Sequence, residues 1–281
     1  MGTSDDTSAA IPRSIRLNNG AELPRLGFGV YQAPRGETTR RAVAEALRVG
    51  YRHVDTARIY GNEQDVGAAV RDSGIPRAEL FVTTKLWNDD QGYERALRAF
   101  DASLARLGLD YVDLYLIHWP VPDERRESWR ALERLHKEGR ARAIGVSNFM
   151  PSHLEEIVRG AQTIPAVNQI EVTPFLQQRD TRAACARHGI VVEAYSPLVR
   201  GTRIQHPVVL EVARKVGRTA AQVLLRWGLQ QGMVVLPKSI QPARIAENAA
   251  IFDFAIAAED VARLDQLEEG LVTGWDPRGQ P

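Results

Sequence analysis

The chain has 281 residues, 44% of them hydrophobic and 25% charged, an ordinary globular composition. Its 36 basic and 35 acidic residues leave a formal net charge of +1, so no general attraction to a polyanion is expected, and no basic cluster interleaved with aromatics points to nucleic acid. A single cysteine, Cys185, excludes an internal disulfide framework. The opening MGTSDDTSAAIPRS lacks the apolar core of a signal peptide, and the most apolar stretch, 249–258, is broken by Asp253 and too short to span a bilayer. These features predict a cytoplasmic protein that meets neither nucleic acid nor membrane.

In chain order, residues 1–13 read as a flexible lead. SIRLNNGAELP reads next as a β-hairpin, with a two-residue turn at Asn19-Gly20. Strand and helix patterns then alternate. Short buried strands are expected near 26–29, 52–55, 80–84, 112–117, 142–146, 165–169, 190–195 and 233–237, with amphipathic helices such as 38–49, 94–107, 128–137 and 220–230 between them. Two helix starts carry capping-box spacing, Ser152 with Glu155 and Thr219 with Gln222. Helical runs at 207–216 and 259–267 are extra to the alternation. Eight repeats without a Pro/Gly/Ser-rich linker predict an α/β protein, a single (β/α)8 TIM barrel over 14–281. A doubly wound open sheet is the rival, but its dinucleotide fingerprint is poorly met: Gly27-x-Gly29 runs into Tyr31 and Gln32 with no third glycine.

In such a barrel the site lies at the C-terminal ends of the strands. Here those ends are polar: Asp55, Lys85, His118, Ser147-Asn148, Gln169, Tyr195-Ser196 and Lys238-Ser239. Tyr60 follows Asp55 by five residues. Lysine is scarce, with only Lys85, Lys137, Lys215 and Lys238 among the 36 basic residues, so a lysine at a strand end stands out where arginine would not serve. A tyrosine beside a buried lysine suits proton donation, because the ammonium favours phenolate and lowers the phenol from its usual pKa of about 10. Taken singly, Asp55 also fits a turn cap, His118 a satisfied core histidine and Tyr60 a loop aromatic.

The segments YRHVDTARIYGNE, TTKLWN, LIHWP, IGVSNF, NQIE, YSPL and LPKS with RIAEN resemble the aldo-keto reductases, in matching order across roughly residues 14–270. The nearest likeness is to the short bacterial members of the diketogluconate-reductase kind. The resemblance implies a barrel that uses NADPH to reduce aldehydes or ketones without a metal, with Asp55, Tyr60, Lys85 and His118 as its tetrad. Tyr60 would be the general acid, Lys85 would tune it, Asp55 would hold Lys85, and His118 would orient the carbonyl. It also implies that Ser147, Asn148 and Gln169 bond the nicotinamide carboxamide, that Tyr195 stacks on the ring, and that Ser196 and Leu198 line the pyrophosphate path.

Lys238, Ser239 and Arg244 put two cations and a hydroxyl at the start of a helix, which fits a 2′-phosphate and hence NADP. Glu247 and Asn248 are placed for the adenine amino group, although Arg244-Glu247 also reads as an exposed i,i+3 pair. Tyr31, Trp87 and Trp119 follow strand ends and are expected to wall an apolar pocket, with Trp275 in the tail as a possible lid. Trp129 and Trp227 read as packing residues and Cys185 as helix core. The six histidines show no metal-ligand spacing, so no metal is expected. Between Pro120 and the helix near Trp129 lies only a short segment, and the one after YSPL is short too, which predicts an open pocket and weak selectivity among small aldehydes, dicarbonyls and keto-sugars. The rival functions are a non-catalytic NADPH-binding redox sensor and a phosphosugar isomerase. A monomer is expected.

Overall fold

The computed structural model describes residues 11–280. It opens with an antiparallel hairpin, β1 (Ser14–Arg16) and β2 (Glu22–Pro24). Eight strands then form the barrel: β3 (Gly27–Gly29), β4 (His53–Asp55), β5 (Phe81–Leu86), β6 (Val112–Ile117), β7 (Ala141–Ser147), β8 (Val167–Glu171), β9 (Val191–Tyr195) and β10 (Val234–Leu236). They pair in chain order, all parallel. The ring closes where Leu26 bridges Val235 in parallel, with Val235 N donating to Arg25 O at 2.9 Å and Gly29 N to Pro237 O at 3.1 Å.

Helices α1 (Glu37–Arg48), α2 (Glu63–Asp72), α3 (Tyr93–Leu107), α4 (Arg125–Lys137), α5 (Pro151–Gly160) and α6 (Arg179–Arg187) follow β3 to β8 in turn. After β9 come α7 (Pro207–Val216) and α8 (Ala220–Gln230), and after β10 come α9 (Pro242–Ala249) and α10 (Ala258–Asp265). α7 and α10 are the two helices beyond the alternation. No helix of the described residues is long and apolar enough to cross a membrane.

The period of two along each strand sorts its side chains. Val82, Tyr115, Ile117, Ile144, Val146, Ile170 and Val192 point outward into the core shared with the helices. Phe81, Leu114, Leu116, Ala143, Val167 and Val234 point inward and pack with Leu17 and Leu23 of the hairpin. The hairpin thus plugs the N-terminal end of the barrel. Continuing the inward row two residues at a time leads to the polar ends: Phe81 to Thr83 to Lys85, and Leu114 to Leu116 to His118. The same spacing takes Val167 to Gln169 to Glu171, and Val191 to Glu193 to Tyr195. One alternation therefore supplies an apolar floor and a polar mouth.

Two local expectations give way to other bonding. The hairpin connection spans 17–21, with Leu17 N donating to Ala21 O at 2.8 Å, and of Asn19-Gly20 only the glycine takes positive φ, at 87°. The asparagines are used elsewhere: Asn18 Nδ2 donates to Pro165 O and Asn19 Nδ2 to Arg142 O, both at 2.9 Å, tying the plug to the barrel rim. Ser152 does not cap α5; Pro151 takes the first helical position, and the His153 ring accepts from Met150 N at 3.1 Å instead. The Thr219–Gln222 box forms, with Thr219 N donating to Gln222 Oε1 at 3.0 Å and Gln222 N to Thr219 Oγ1 at 3.2 Å. Of the expected flexible lead, residues 1–10 lie outside the described residues. Residues 11–13 lie against the barrel, where Arg13 O accepts from Arg25 N at 2.8 Å and the Arg13 guanidinium sits 4.8 Å from the Phe252 ring.

Gly67 in α2 meets the end of α3 so closely that a Cβ there would lie 1.8 Å from Leu107 O, whereas at Gly160 a Cβ would meet nothing within 4 Å. In a helix Gly→Ala ordinarily stabilises by up to about 1 kcal/mol. Gly160→Ala should follow that rule. Gly67→Ala should destabilise by about 1–3 kcal/mol because backbone must move, and urea unfolding midpoints of the two variants should move in opposite directions.

Candidate active site

Lys85, on the inward face of β5, has no exposed surface. Its Nζ donates to Asp55 Oδ1 at 2.6 Å, to Thr56 O at 2.9 Å and to Tyr60 Oη at 3.4 Å. All three acceptors come from the segment that leaves β4, so the ammonium's three hydrogens are satisfied by one turn. That turn is held independently: Thr56 Oγ1 donates to Asn62 Oδ1 at 2.8 Å, Asn62 Nδ2 donates to Val30 O at 3.0 Å, and Gly61 reverses the chain at φ 68°. His118, just past β6, completes the group. Its backbone N donates to Leu86 O at 3.1 Å, and its ring lies edge-on to Tyr60 at 5.8 Å and to Trp87 at 5.3 Å. The structure thus brings together all four groups expected to act as one.

The electrostatics correct one expectation. Burial, then the Asp55 carboxylate and Tyr31, hold the Tyr60 phenol well above the usual phenol range. Lys85 was expected to pull it the other way, but two of its three hydrogens are spent on Asp55 and Thr56, and desolvation of a phenolate outweighs what remains. The phenol is kept as an acid. Burial and the Lys85 charge hold His118 well below its usual range, so its imidazole is neutral at neutral pH.

A cavity of about 700 Å³ opens above these groups. Asp55, Tyr60 and His118 line it together with Ser147, Asn148, Gln169, Tyr195, Ser196, Leu198, Lys238, Ser239, Arg244, Glu247 and Asn248. Tyr195 Oη donates to Asn148 Oδ1 at 2.8 Å, Asn148 Nδ2 donates to His118 O at 3.0 Å and to Ser147 Oγ at 3.2 Å, and Ser147 Oγ donates to Gln169 O at 2.7 Å. Gln169 is more committed than its expected role required, since its Nε2 donates both to Asp55 Oδ2 at 2.9 Å and to Glu193 Oε2 at 2.6 Å. Its Oε1 has no partner among the described residues. Hence Ser147, Asn148 and Gln169 have spent their donors and keep acceptors.

At the far end, Lys238 and Arg244 are exposed, and neither makes an ion pair among the described residues. Arginines elsewhere, such as Arg40, Arg77 and Arg218, sit on carboxylates. Arg244 occupies the first turn of α9, whose N-terminal N–H groups add to the positive field. Ser239 Oγ accepts from Gln241 N at 3.1 Å, which leaves its hydrogen to donate. Glu247 does not pair with Arg244; its carboxylate accepts from Thr219 Oγ1 at 2.7 Å, and Asn248 is buried beside it. The i,i+3 reading of Arg244-Glu247 therefore fails.

The mouth is aromatic. Tyr31 lies 5.0 Å from Tyr60, ring to ring, and Trp87 and Trp119 line the cavity. The tail does dock: Trp275 stands 6.2 Å from Trp87 and 5.7 Å from Trp119. It is carried there by Thr273, whose N and Oγ1 donate to the buried Glu171 carboxylate at the end of β8. Trp129 and Trp227 are buried in α4 and α8 as expected, and so is Cys185 in α6.

The Aldo/keto reductase family profile matches residues 25–269. The glyoxal reductase of Bacillus subtilis is 48% identical over 264 residues, covering 94% of this chain and 96% of that one. The morphine 6-dehydrogenase of Pseudomonas putida is 50% identical over 279 residues, covering 94% of each. Among solved structures, an aldo-keto reductase complexed with NADPH superposes with a TM-score of 0.88 at 37% identity, covering 94% of this chain and 90% of that one. The chain belongs to the aldo/keto reductase family.

Sequence reasoning missed three residues of this aldo/keto reductase site. Arg200 lines the cavity, its guanidinium 5.7 Å from the Tyr31 ring across the mouth, but in the sequence it is one arginine among 32 (36 basic residues less four lysines). It sits in a left-handed run, Val199 at φ 51° and Arg200 at φ 48°, which side chains rarely adopt and no local motif announces. Thr56 contributes through its carbonyl, invisible to residue type. Glu193 lies two residues before Tyr195, and only its inward parity hinted at it.

Removing the ammonium while keeping its volume should expose how much the site depends on it. Lys85→Met leaves the Asp55 carboxylate buried without its cation, and should lower the unfolding free energy by about 3–5 kcal/mol in urea titration.

Proposed function

We propose that Tyr60 is the proton donor in NADPH-dependent reduction of aldehydes and ketones by this chain. The observation that carries this is the contact of Lys85 Nζ with Tyr60 Oη at 3.4 Å, beneath a cavity that Tyr60 and His118 share. Bound NADPH supplies the hydride to the carbonyl carbon. The chain's own residues supply the rest. His118 has its backbone tied down and its ring wedged edge-on between Tyr60 and Trp87, so the neutral imidazole is a fixed hydrogen-bond donor for the carbonyl oxygen. Tyr60 transfers its proton to that oxygen as negative charge builds there. Lys85, still held by Asp55, supports the phenolate left behind.

The residues fit this cofactor. Three side chains that retain acceptors match the amino group of a carboxamide, and Tyr195, pinned through its hydroxyl to Asn148, offers a ring face for stacking. Lys238 and Arg244 have no carboxylate partner among the described residues and match a 2′-phosphate, which favours NADPH over NADH. Around the substrate space, aromatic walls and an exposed mouth suit small aldehydes, dicarbonyls and keto-sugars, and the glyoxal reductase relative acts within that range. Among the described residues, the exposed large apolar side chains are Tyr31, Ile59, Ile240 and Trp275. Three of these line the cavity, which leaves no broad apolar face among the described residues for a second copy and favours a monomer. The lone buried Cys185 suits a reducing compartment such as the cytoplasm.

Two substitutions separate the halves of this reading. Tyr60→Phe should cut kcat for carbonyl reduction by about 100-fold or more while leaving NADPH affinity, followed by fluorescence titration, unchanged. Arg244→Ala should weaken NADPH about 10- to 100-fold, the worth of one charge-assisted contact, and leave NADH use as it was. Full activity of Tyr60→Phe, or equal losses with both cofactors, would contradict the assignments.

A further inference from the structure

Beneath the reacting end, the barrel interior holds a carboxylate that the mechanism above does not use. Glu193 faces inward from the middle of β9 and has no exposed surface. Its Oε2 accepts from Gln169 Nε2 at 2.6 Å, and the same amide donates to Asp55 Oδ2 at 2.9 Å. Asp55 holds Lys85 at 2.6 Å, and Lys85 reaches the Tyr60 phenol at 3.4 Å. An unbroken line of side chains joins Glu193 to the proton donor.

The charges along that line do not balance. Two carboxylates and one ammonium are shut in together, and the ammonium lies on Asp55. An ion without a partner in the interior is more costly than the same group holding a proton. A second observation is consistent with a proton on Glu193. Glu193 Oε1 and His53 Nδ1 are both buried without a hydrogen-bond partner, and they face each other at 3.6 Å. His53 Nε2 is 3.0 Å from Thr83 Oγ1. Burial and Lys85 lower the His53 pKa to about 3, so the ring is neutral, and Nδ1 is an acceptor when Nε2 bears the hydrogen. In that tautomer Nδ1 is the acceptor nearest Oε1, 3.6 Å away and beyond direct hydrogen-bond length.

The charged or titratable groups that face Glu193 are Asp55 and His53 on β4 and Lys85 on β5. Its paired neighbours, Gln169 on β8 and Val234 on β10, bring no charge, and α6 packs on β9 from outside the barrel. Burial, and then Asp55, push the Glu193 carboxyl up to about 8, against the opposing pull of Gln169 and Lys85.

We propose that Glu193 is a positioning residue for this reaction: as a neutral acid it holds the Gln169 amide on Asp55, and once ionised it weakens Tyr60 as a proton donor. The inference rests on Tyr60 being that donor. No proton travels along the line. The proton delivered to the carbonyl oxygen comes from Tyr60, and only the charge of Glu193 is felt. Ionised Glu193 repels Asp55 and competes for Lys85, so the ammonium supports the forming phenolate less and reduction slows. The sign is set: activity is full while Glu193 is protonated and falls as pH rises through its titration.

The test is kcat for aldehyde reduction at saturating NADPH, from pH 6 to 10, in the native protein, Glu193→Gln and Tyr60→Phe. The native enzyme should lose about threefold to tenfold across a limb near pH 8, the effect of up to about one pKa unit on the donor. Glu193→Gln, which mimics the neutral acid, should stay flat to within about twofold. A merely structural Glu193 would change stability and leave the limb in place, and a retained limb in Glu193→Gln with Tyr60→Phe inactive overturns this inference alone. An active Tyr60→Phe removes the donor assignment and this inference with it. Should Glu193→Gln fail to fold, infrared spectra of native protein labelled with carboxyl-¹³C glutamate decide: a protonated carboxyl band that survives at pH 7 and bleaches near pH 8 supports the inference, and its absence overturns it.

Discussion

The site depends on the burial of one ammonium. Lys85 is fully enclosed, and an enclosed ammonium is tolerable only when each of its hydrogens meets an acceptor and its charge meets a carboxylate. The segment leaving β4 provides all of this. Asp55 gives the carboxylate, Thr56 the carbonyl and Tyr60 the phenol, within a turn that Asn62 and Gly61 hold in shape. The lysine and the turn define each other, which is why the phenol stands at the cavity wall. The next residue along, Glu63, extends the arrangement outward. It accepts from Thr84 Oγ1 on β5 and from Arg106 on α3, both at 2.6 Å, so the turn is anchored to the strand that carries Lys85.

A barrel with apolar side chains at every inward position would be easier to fold. This one grades from the apolar floor of Phe81, Leu114, Val167 and Val234 through a middle layer with Thr83, Gln169 and Glu193 to the charged mouth. Each polar member of the middle layer touches another: Thr83 meets His53, and Gln169 spans Asp55 and Glu193. Gly27 belongs to the same accommodation. A Cβ there would lie 2.5 Å from His53 Nδ1 and 2.4 Å from Leu236, so the glycine gives the imidazole room. It does not serve a dinucleotide loop.

Cation use divides the molecule into structure and reception. Many arginines on the helices are matched to carboxylates, several at i,i+3 or i,i+4. Among the described residues, Lys238 and Arg244 are left without such partners along the cavity, where their field is available to an anion that arrives from outside. At the other end, Glu171 is drawn into holding the tail, and Trp275 remains 67% exposed while leaning on two other tryptophans. The mouth that looked open from its short loops is therefore partly walled by the tail.

Much of this was legible in the sequence because its signals are local. The short buried runs near 80–84 and 112–117, the Thr219–Gln222 cap, and a polar residue after most of the strand-like runs depend on near neighbours. With eight strand and helix repeats they were enough to read a (β/α)8 barrel, and with the family resemblance to nominate the four tetrad residues. Residue type alone could not say that the Asn19-Gly20 turn would yield to rim contacts, or that Ser152 would lose its cap to a proline. Those outcomes depend on which carbonyls a neighbouring strand presents. The direction of the Tyr60 phenol, the sharing of Gln169 between Asp55 and a partner 24 residues away, and the docking of the tail, Thr273 on Glu171 and Trp275 on Trp87 and Trp119, were decided only by closure of the barrel. Desolvation and charge–charge coupling act through space across strands that closure brings together, and a linear pattern carries no measure of those distances.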